Sequence, residues 1–242
     1  MQWFESWFDS PYYPLLYQNR NEAEASLFIQ HLISHFSISK NTFCLDVACG
    51  RGRHVNILSK VAGKVVGIDL SLRSIMDAKS RYQNDAISFY REDMRFFELN
   101  EKFDFVFNLF TSFGYFEDTH DNIKVLIQIK KHLKIDGLLL IDYLNVHHQD
   151  IYDTTEKKIA IDGIEFITKK AIDEKFIKKR IKVIDGQVQH DYEECVQRLS
   201  LDWFEEHLID LGFEIIQKFG DYDLNVFDEN KSKRLILVAK NI

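Results

Sequence analysis

The sequence predicts an α/β protein: a doubly wound, mostly parallel sheet carrying a small antiparallel β insert. Three observations carry this reading. Strand-like apolar runs at 43–48, 64–69, 86–90, 103–109 and 136–144 alternate with helical stretches near 53–61, 71–82 and 119–134, the mark of βαβ units wrapped on both faces of a parallel sheet. From about residue 157 the pattern changes to β-branched, alternating segments with corners at Asp162-Gly163, Asp173-Glu174 and Asp185-Gly186, which reads as an antiparallel meander. The last two strands, 213–219 and 234–240, are joined by a loop too short for a crossover helix, so they pair antiparallel at a sheet edge. With right-handed crossovers the layout is Rossmann-like.

The elements follow in order. Residues 1–21 hold seven aromatics, Trp3 to Tyr17, and both prolines, Pro11 and Pro14. Such aromatic density predicts an irregular arm that packs, since disordered segments avoid aromatics. Asn21 and Glu24 resemble a capping pair. Ala25, Phe28, Ile29, Leu32, Ile33 and Phe36 then recur at helical spacing. The alternating segments follow as a core over 22–156, interrupted by the insert at 157–199. The core resumes at 200–242, where Ser200 caps a helix with Leu201, Phe204, Leu208 and Leu211 on one face, ended by Gly212.

Composition narrows the class. The 242 residues are 45% hydrophobic and 29% charged, enough for a sizeable core. A net charge of −7 excludes a general nucleic-acid binder, which needs basic surface to displace counterions. No run reaches the ~18 apolar residues of a membrane span, and "MQWFESWFDS" lacks the basic start of a signal peptide, so a cytoplasmic protein is expected. Cys44, Cys49 and Cys195 are odd in number and read as reduced, structural thiols. His31 and His35 have i, i+4 spacing without an HExxH glutamate or a nearby third ligand. No metal is expected.

The chemistry is sought at "CLDVACGRGRH", residues 44–54. Ligands of open α/β sheets bind beyond the carboxyl ends of the strands, and the turn at 49–53 stands at the end of the first one. Gly50 and Gly52 remove side chains where a backbone approaches a ligand, and the following helix presents free N–H groups. Asp69 ends the second strand, 19 residues after Gly50, where it can accept both ribose hydroxyls of an adenosine ligand. The dinucleotide fingerprint G-x-G-x-x-G needs glycine at 55, where Val55 stands, which counts against a dinucleotide. After the third strand, "REDM" places Asp93 to accept from an adenine amino group and the Met94 N–H to donate to a ring nitrogen. The alternative for Asp93 is an Asx turn.

In these motifs the chain resembles class I S-adenosylmethionine-dependent methyltransferases, in particular a subgroup of small bacterial members. "LDVACGRGRH" is similar to the family's glycine-rich first motif, "VVGIDLS" to its ribose-binding acid, "REDM" to its adenine turn and "FDFVFNLFTSFGYF" to the subgroup's fourth-strand motif. Ala48 departs from a frequent glycine. The resemblance implies a seven-stranded sheet whose last strand is antiparallel and S-adenosylmethionine as cofactor, with S-adenosylhomocysteine as product. It further implies that Asp46, Ala48, Cys49, Gly50 and Gly52 surround the methionine moiety, Asp69 and Leu70 the ribose and adenine, Asp93 and Met94 the adenine edge. Asn108, Leu109 and Phe110 would line the methyl side. The arm is expected to fold over the cofactor, with Tyr17 near it and Arg20 on the ligand's carboxylate; packing on a sheet edge or a second subunit is the alternative.

Methyl transfer is an in-line displacement in which alignment supplies much of the rate. No catalytic constellation is visible. Tyr115, Tyr143, Asn145, His147 and His148 fall in or near loops after the fourth and fifth strands and are weak candidates to orient or deprotonate an acceptor. No NPPY-like nucleobase motif follows the fourth strand, so a small-molecule acceptor is expected. Residues 157–180 carry eight Lys or Arg against four Asp or Glu, which favours an anionic one. The insert is read as a substrate lid or a dimerisation element, the lysines alternatively as guards of an exposed sheet, and the protein as monomer or homodimer. Two further functions stay open: an NAD-dependent oxidoreductase and a non-catalytic S-adenosylmethionine-binding module.

Overall fold

The computed structural model describes residues 2–18 and 22–242, with side chains except at 22–24. Along the chain come α1 (Trp3–Phe8), α2 (Tyr12–Leu16), α3 (Glu22–His35), β1 (Phe43–Val47), α4 (Arg53–Ser59), β2 (Lys64–Asp69), α5 (Leu72–Tyr82) and β3 (Ile87–Arg91). Then follow β4 (Phe103–Asn108), α6 (Thr119–His132), β5 (Leu133–Leu144), one 3₁₀ turn (Gln149–Tyr152), β6 (Lys157–Ile161) and β7 (Ile164–Ile172). The last are β8 (Phe176–Asp185), β9 (Val188–Gln197), α7 (Leu201–Asp210), β10 (Phe213–Phe219) and β11 (Arg234–Asn241).

Seven strands form one sheet in the order β10-β11-β5-β4-β1-β2-β3. β1 to β5 pair parallel, and β11 runs antiparallel between β5 and the edge strand β10. Alternation along each strand divides the core in two, because successive side chains leave opposite faces. Leu45, Val47, Val106, Ile141, Leu235 and Leu237 pack with Val125 and Ile129 of α6 and Phe204 and Leu208 of α7. Cys44, Val65, Phe105, Phe107, Ile236 and Val238 pack with Phe28 and Leu32 of α3, Val55 of α4 and Ile75 of α5. Helices therefore cover both faces, as strands buried on two sides require. The three cysteines are buried free thiols. No helix of the described residues is long and apolar enough to cross a membrane.

The insert is a separate four-stranded antiparallel sheet, β6-β7-β8-β9. Its first hairpin closes through Asp162 and Gly163, both at positive φ (49° and 82°), the type I′ geometry that suits strand twist. The third, between β8 and β9, closes one residue later than expected. Asp185 pairs with Val188, so the loop is Gly186-Gln187, with only Gly186 at positive φ (59°). One face of this sheet carries Phe166, Ile181 and Val183, which form a third core with Trp7 and Tyr12.

That third core corrects the reading of the arm as irregular. It folds into α1 and α2: Phe4 packs into the core of the main sheet, Trp7 and Tyr12 into the third core, and Phe8 and Tyr13 meet edge to face (centroids 4.9 Å). The proposed Asn21–Glu24 capping pair and Arg20 lie outside the described residues. The insert is pinned to the main sheet by buried Gln197, whose amide donates to Phe116 O (2.7 Å) and accepts from Asn122 Nδ2 (2.9 Å).

Candidate functional site

Chain order reverses between β1 and β4, which are neighbours although β2 and β3 intervene in sequence. Their carboxyl ends open the crevice where open α/β sheets bind ligands. The turn leaving β1 takes left-handed φ at Ala48 (62°), Gly50 (54°) and Gly52 (76°). Ala48 bears the strain of a Cβ there, on the order of 1–2 kcal/mol. The two glycines differ in purpose. A Cβ on Gly50 would meet nothing within 4 Å, so this backbone faces open space. A Cβ on Gly52 would lie 2.6 Å from the Phe89 ring. Gly52 therefore serves helix–strand packing.

Asp69 at the end of β2 closes the turn. Its Oδ2 accepts from the Gly50 N–H (2.8 Å) and its Oδ1 from the Ser71 N–H (2.8 Å). Burial pushes its carboxyl up to about 6, opposed by those two hydrogen bonds and aided by Asp46 and Asp9. Each oxygen keeps a lone pair for a further donor. Asp46 is buried, with Oδ2 lacking any hydrogen-bond donor and His54 Nδ1 3.8 Å away.

A cavity of about 390 Å³ begins at this turn, lined by Ala48, Gly50, Asp69, Leu70, Asp93 and Met94 on the core side. The N-terminal helices supply its other wall through Phe4, Glu5, Phe8, Asp9 and Tyr13. Asp9 anchors that wall, its Oδ1 accepting from Ser71 Oγ (2.7 Å) and the Arg73 N–H (3.2 Å) at the start of α5. Asp93 lines the cavity, but its carboxylate is engaged by Arg95, with Nη2 2.6 Å from Oδ2, and its Oδ1 accepts from the Arg95 N–H (2.9 Å). The Asx turn named as the alternative is present.

A second cavity of about 360 Å³ adjoins the first, and Phe8, Tyr13 and Tyr115 line both. Its floor is Phe110 and Thr111, consecutive residues at positive φ (57° and 60°) just after β4. Such strain persists only where surroundings over-determine it, and buried Asp142 does so. Asp142 Oδ2 accepts from the Phe110 N–H (2.8 Å) and its backbone carbonyl from the Thr111 N–H (2.9 Å). Asp142 Oδ1 accepts from Arg234 Nε (2.7 Å), and Arg234 Nη2 donates to Thr111 Oγ1 (2.9 Å). The roof is the insert: Lys170, Lys179 and Glu194 sit in register across β7, β8 and β9, with Ile177 and Val196 two residues along the same face.

The remaining sequence candidates lie elsewhere. Tyr143 is fully buried and donates to Gln197 O (2.5 Å), and burial pushes its phenol well up. Asn145 Nδ2 donates to Glu229 O and Ser232 O (both 2.7 Å), His147 pairs with Glu229 (3.3 Å), and His148 Nδ1 accepts from the Asp150 N–H. None of the four lines either cavity. Tyr115 does, its hydroxyl donating to Thr111 O (2.6 Å). Asn108 is buried and donates to Val47 O and Ser112 O, and Leu109 and Cys49 are buried behind the turn. Tyr17 sits by the second cavity, donating to Glu194 Oε1 (2.5 Å) and accepting from Lys179 Nζ (2.7 Å). Sequence reasoning missed Arg53, Thr111, Asp142, Glu194, Tyr222 and Arg234. A faint signal existed for Lys170 and Lys179, in the basic run.

Residues 44–137 match the family described as a methyltransferase domain. Over 98 residues the chain is 32% identical to dTDP-3-amino-3,4,6-trideoxy-alpha-D-glucopyranose N,N-dimethyltransferase of Streptomyces venezuelae, a match spanning 40% of each protein. The fold is shared with an S-adenosylmethionine-dependent methyltransferase from Clostridium acetobutylicum (TM-score 0.79, 18% identity, 95% of both chains). It is also that of the sugar N-methyltransferase KedS8 from Streptoalloteichus (TM-score 0.72, 19% identity, 95% of this chain and 92% of that one).

Proposed function

We propose that this chain is a class I S-adenosylmethionine-dependent methyltransferase that transfers a methyl group from S-adenosylmethionine in the first cavity to a small-molecule acceptor in the second. The observation that carries this is the junction of the two cavities at Phe8, Tyr13 and Tyr115. The first cavity fits the cofactor on its own chemistry. Asp69 offers two carboxylate lone pairs to a diol and Gly50 leaves the turn open, while Asp46, which is not among the lining residues, keeps a buried oxygen without a donor nearby on β1. Leu70 and Met94 add apolar surface for a base.

When bound, the sulfonium supplies a methyl group already activated by a neutral leaving thioether. The chain's own work is positioning. Asp69 and the turn fix one end, while the N-terminal helices, tied down through Asp9, wall the cavity off from water. The floor at Phe110–Thr111, held by Asp142 and Arg234, sets the depth to which an acceptor can sit. The second cavity is lined by Arg53, Lys170, Lys179, Glu194 and Arg234, Arg234 being ion-paired with buried Asp142. The lysines of its roof favour an acceptor carrying negative charge, and this makes the insert the element that selects the acceptor. The relatives named for amino-sugar methylation support a small-molecule acceptor.

Two other readings are weaker. An NAD-dependent oxidoreductase lacks the third glycine, since buried Val55 stands there. A non-catalytic module would have its acceptor pocket filled, whereas about 360 Å³ stands open among the described residues. Calorimetry with S-adenosylhomocysteine and NAD is the test: binding of the first alone is expected, and binding of NAD alone would overturn the proposal. Turnover against a panel of anionic metabolites then separates enzyme from sensor.

A further inference from the structure

Resting on the reading that a methyl group passes between the two cavities, we propose that an aromatic collar at their junction recognises the positive charge of the sulfonium. By this the protein tells S-adenosylmethionine from its neutral product. Three described residues line both cavities, Phe8, Tyr13 and Tyr115. All three are aromatic, none carries a charge, and each is half-buried, so part of every side chain stays open to the cavities. They come from parts of the chain that meet only on folding: Phe8 ends α1, Tyr13 lies in α2 and Tyr115 follows β4. Phe8 meets Tyr13 edge to face (4.9 Å) and Tyr115 at a tilt of 49° (5.3 Å), while Trp3 packs edge to face on Tyr115 (5.2 Å). Two hydrogen bonds fix Tyr115 further. Its hydroxyl donates to Thr111 O (2.6 Å), and its carbonyl accepts from Trp3 Nε1 (3.2 Å).

What such a collar recognises follows from its chemistry. In the proposed reaction the sulfur that carries the methyl group lies where the cavities meet. A sulfonium is a cation with no N–H or O–H, so a hydrogen-bond acceptor finds nothing to accept. A carboxylate at that point would attract the charge, but its oxygen is itself a nucleophile toward the methyl group. The carboxylates that line the cavities stand in one or the other, Asp9 and Asp69 in the first and Glu194 in the second, and none of the described ones lines both. An aromatic face holds the negative part of the ring's quadrupole, so it attracts a cation without offering a lone pair to be methylated. Loss of the methyl group turns the cation into a neutral thioether and leaves the rest of the ligand unchanged. Contacts at Asp69 and at the Gly50 turn are shared by both forms, so the collar is where their affinities separate.

The test is calorimetry of the full chain with S-adenosylmethionine and with S-adenosylhomocysteine, without an acceptor, read as the ratio of the two affinities. Phe8→Leu and Tyr115→Leu each keep apolar bulk and remove a ring. Each is expected to shift the ratio toward S-adenosylhomocysteine by about 2- to 30-fold, the range of one cation–π contact. Tyr115→Phe keeps the ring and gives up only the hydroxyl bond to Thr111 O, and is expected to leave the ratio within about twofold of wild type. If the leucine variants do not fold, 3,4,5-trifluorophenylalanine at position 8 keeps the shape of the ring while draining its face of negative charge. It is expected to move the ratio the same way. A folded leucine or fluorinated variant with the wild-type ratio, or with a shift the other way, would overturn the inference, as would Tyr115→Phe shifting the ratio as far as Tyr115→Leu. Failure of wild type to bind either ligand would instead overturn the cofactor reading beneath it.

Discussion

The carboxyl of Asp69 makes cofactor affinity depend on pH in a calculable way. Burial has pushed it from an ordinary 3.8 up to about 6. In the proposed complex the ribose hydroxyls donate to the ionised form, so the apparent dissociation constant is expected to rise as 1 + 10^(pKa − pH). Between pH 7 and pH 5 that is a roughly tenfold loss, about 1.4 kcal/mol. The ligand's own carboxyl and amino groups keep their charge over this range. Stability of the ligand-free protein runs the other way. The folded state holds the proton more tightly than the unfolded one, so this group makes the protein more stable as pH falls from about 7 to about 4, by at most about 3 kcal/mol. Calorimetric titration of S-adenosylhomocysteine at half-unit steps from pH 5 to pH 7.5 reads the first effect. Asp69→Asn is expected to flatten the profile and to weaken binding at pH 7 by about 1–3 kcal/mol, roughly 5- to 150-fold. A wild-type affinity constant from pH 7.5 to 5, or a variant that binds like wild type, would refute the assignment of the ribose to Asp69.

The two turn glycines should separate. Gly52→Ala drives a Cβ to 2.6 Å from Phe89 at φ 76° and is expected to cost about 2–4 kcal/mol in denaturant unfolding. Gly50→Ala, with nothing within 4 Å at φ 54°, is expected to cost only about 1–2 kcal/mol while weakening S-adenosylhomocysteine binding. Tyr143→Phe removes the donor to Gln197 O and should lower stability by about 1–3 kcal/mol, with kcat changed less than about twofold; a large fall in kcat at unchanged stability would return Tyr143 to the catalytic candidates. Deleting residues 1–18 uncovers Phe166, Ile181 and Val183, each at most 1% exposed. It is expected to lower Tm and to weaken S-adenosylhomocysteine binding at least about tenfold, the latter because Phe4, Phe8 and Asp9 leave the first cavity; undiminished binding would show that the helices do not wall the cofactor.

Sequence by itself determined what depends on neighbours along the chain. Alternation of strand and helix patterns, the aspartate–glycine corner at 162–163 and the cap at Ser200 each follow from local periodicity or backbone sterics. They placed the sheet, the antiparallel final pair and the insert to within a few residues. The first cavity was legible for the same reason: its core wall is three consecutive strand ends and the turns after them, so Gly50, Asp69 and Asp93 come together once β1, β2 and β3 pair. There too Asp93 lies at the cavity, its carboxylate paired with Arg95 two residues on. The second cavity was decided only by tertiary structure. Its floor, roof and walls come from α1, the segment after β4, the insert and the last strand. Residues 170, 179 and 194 share a face only because the hairpins close in one register and not the next, and a one-residue slip would turn all three to solvent. Tyr143 and Asn145 likewise looked like site residues by position in sequence. The packing of α7 on β5 buries the first, and the loop before β11 claims the second, because side-chain direction at a strand end is set by what arrives to cover it.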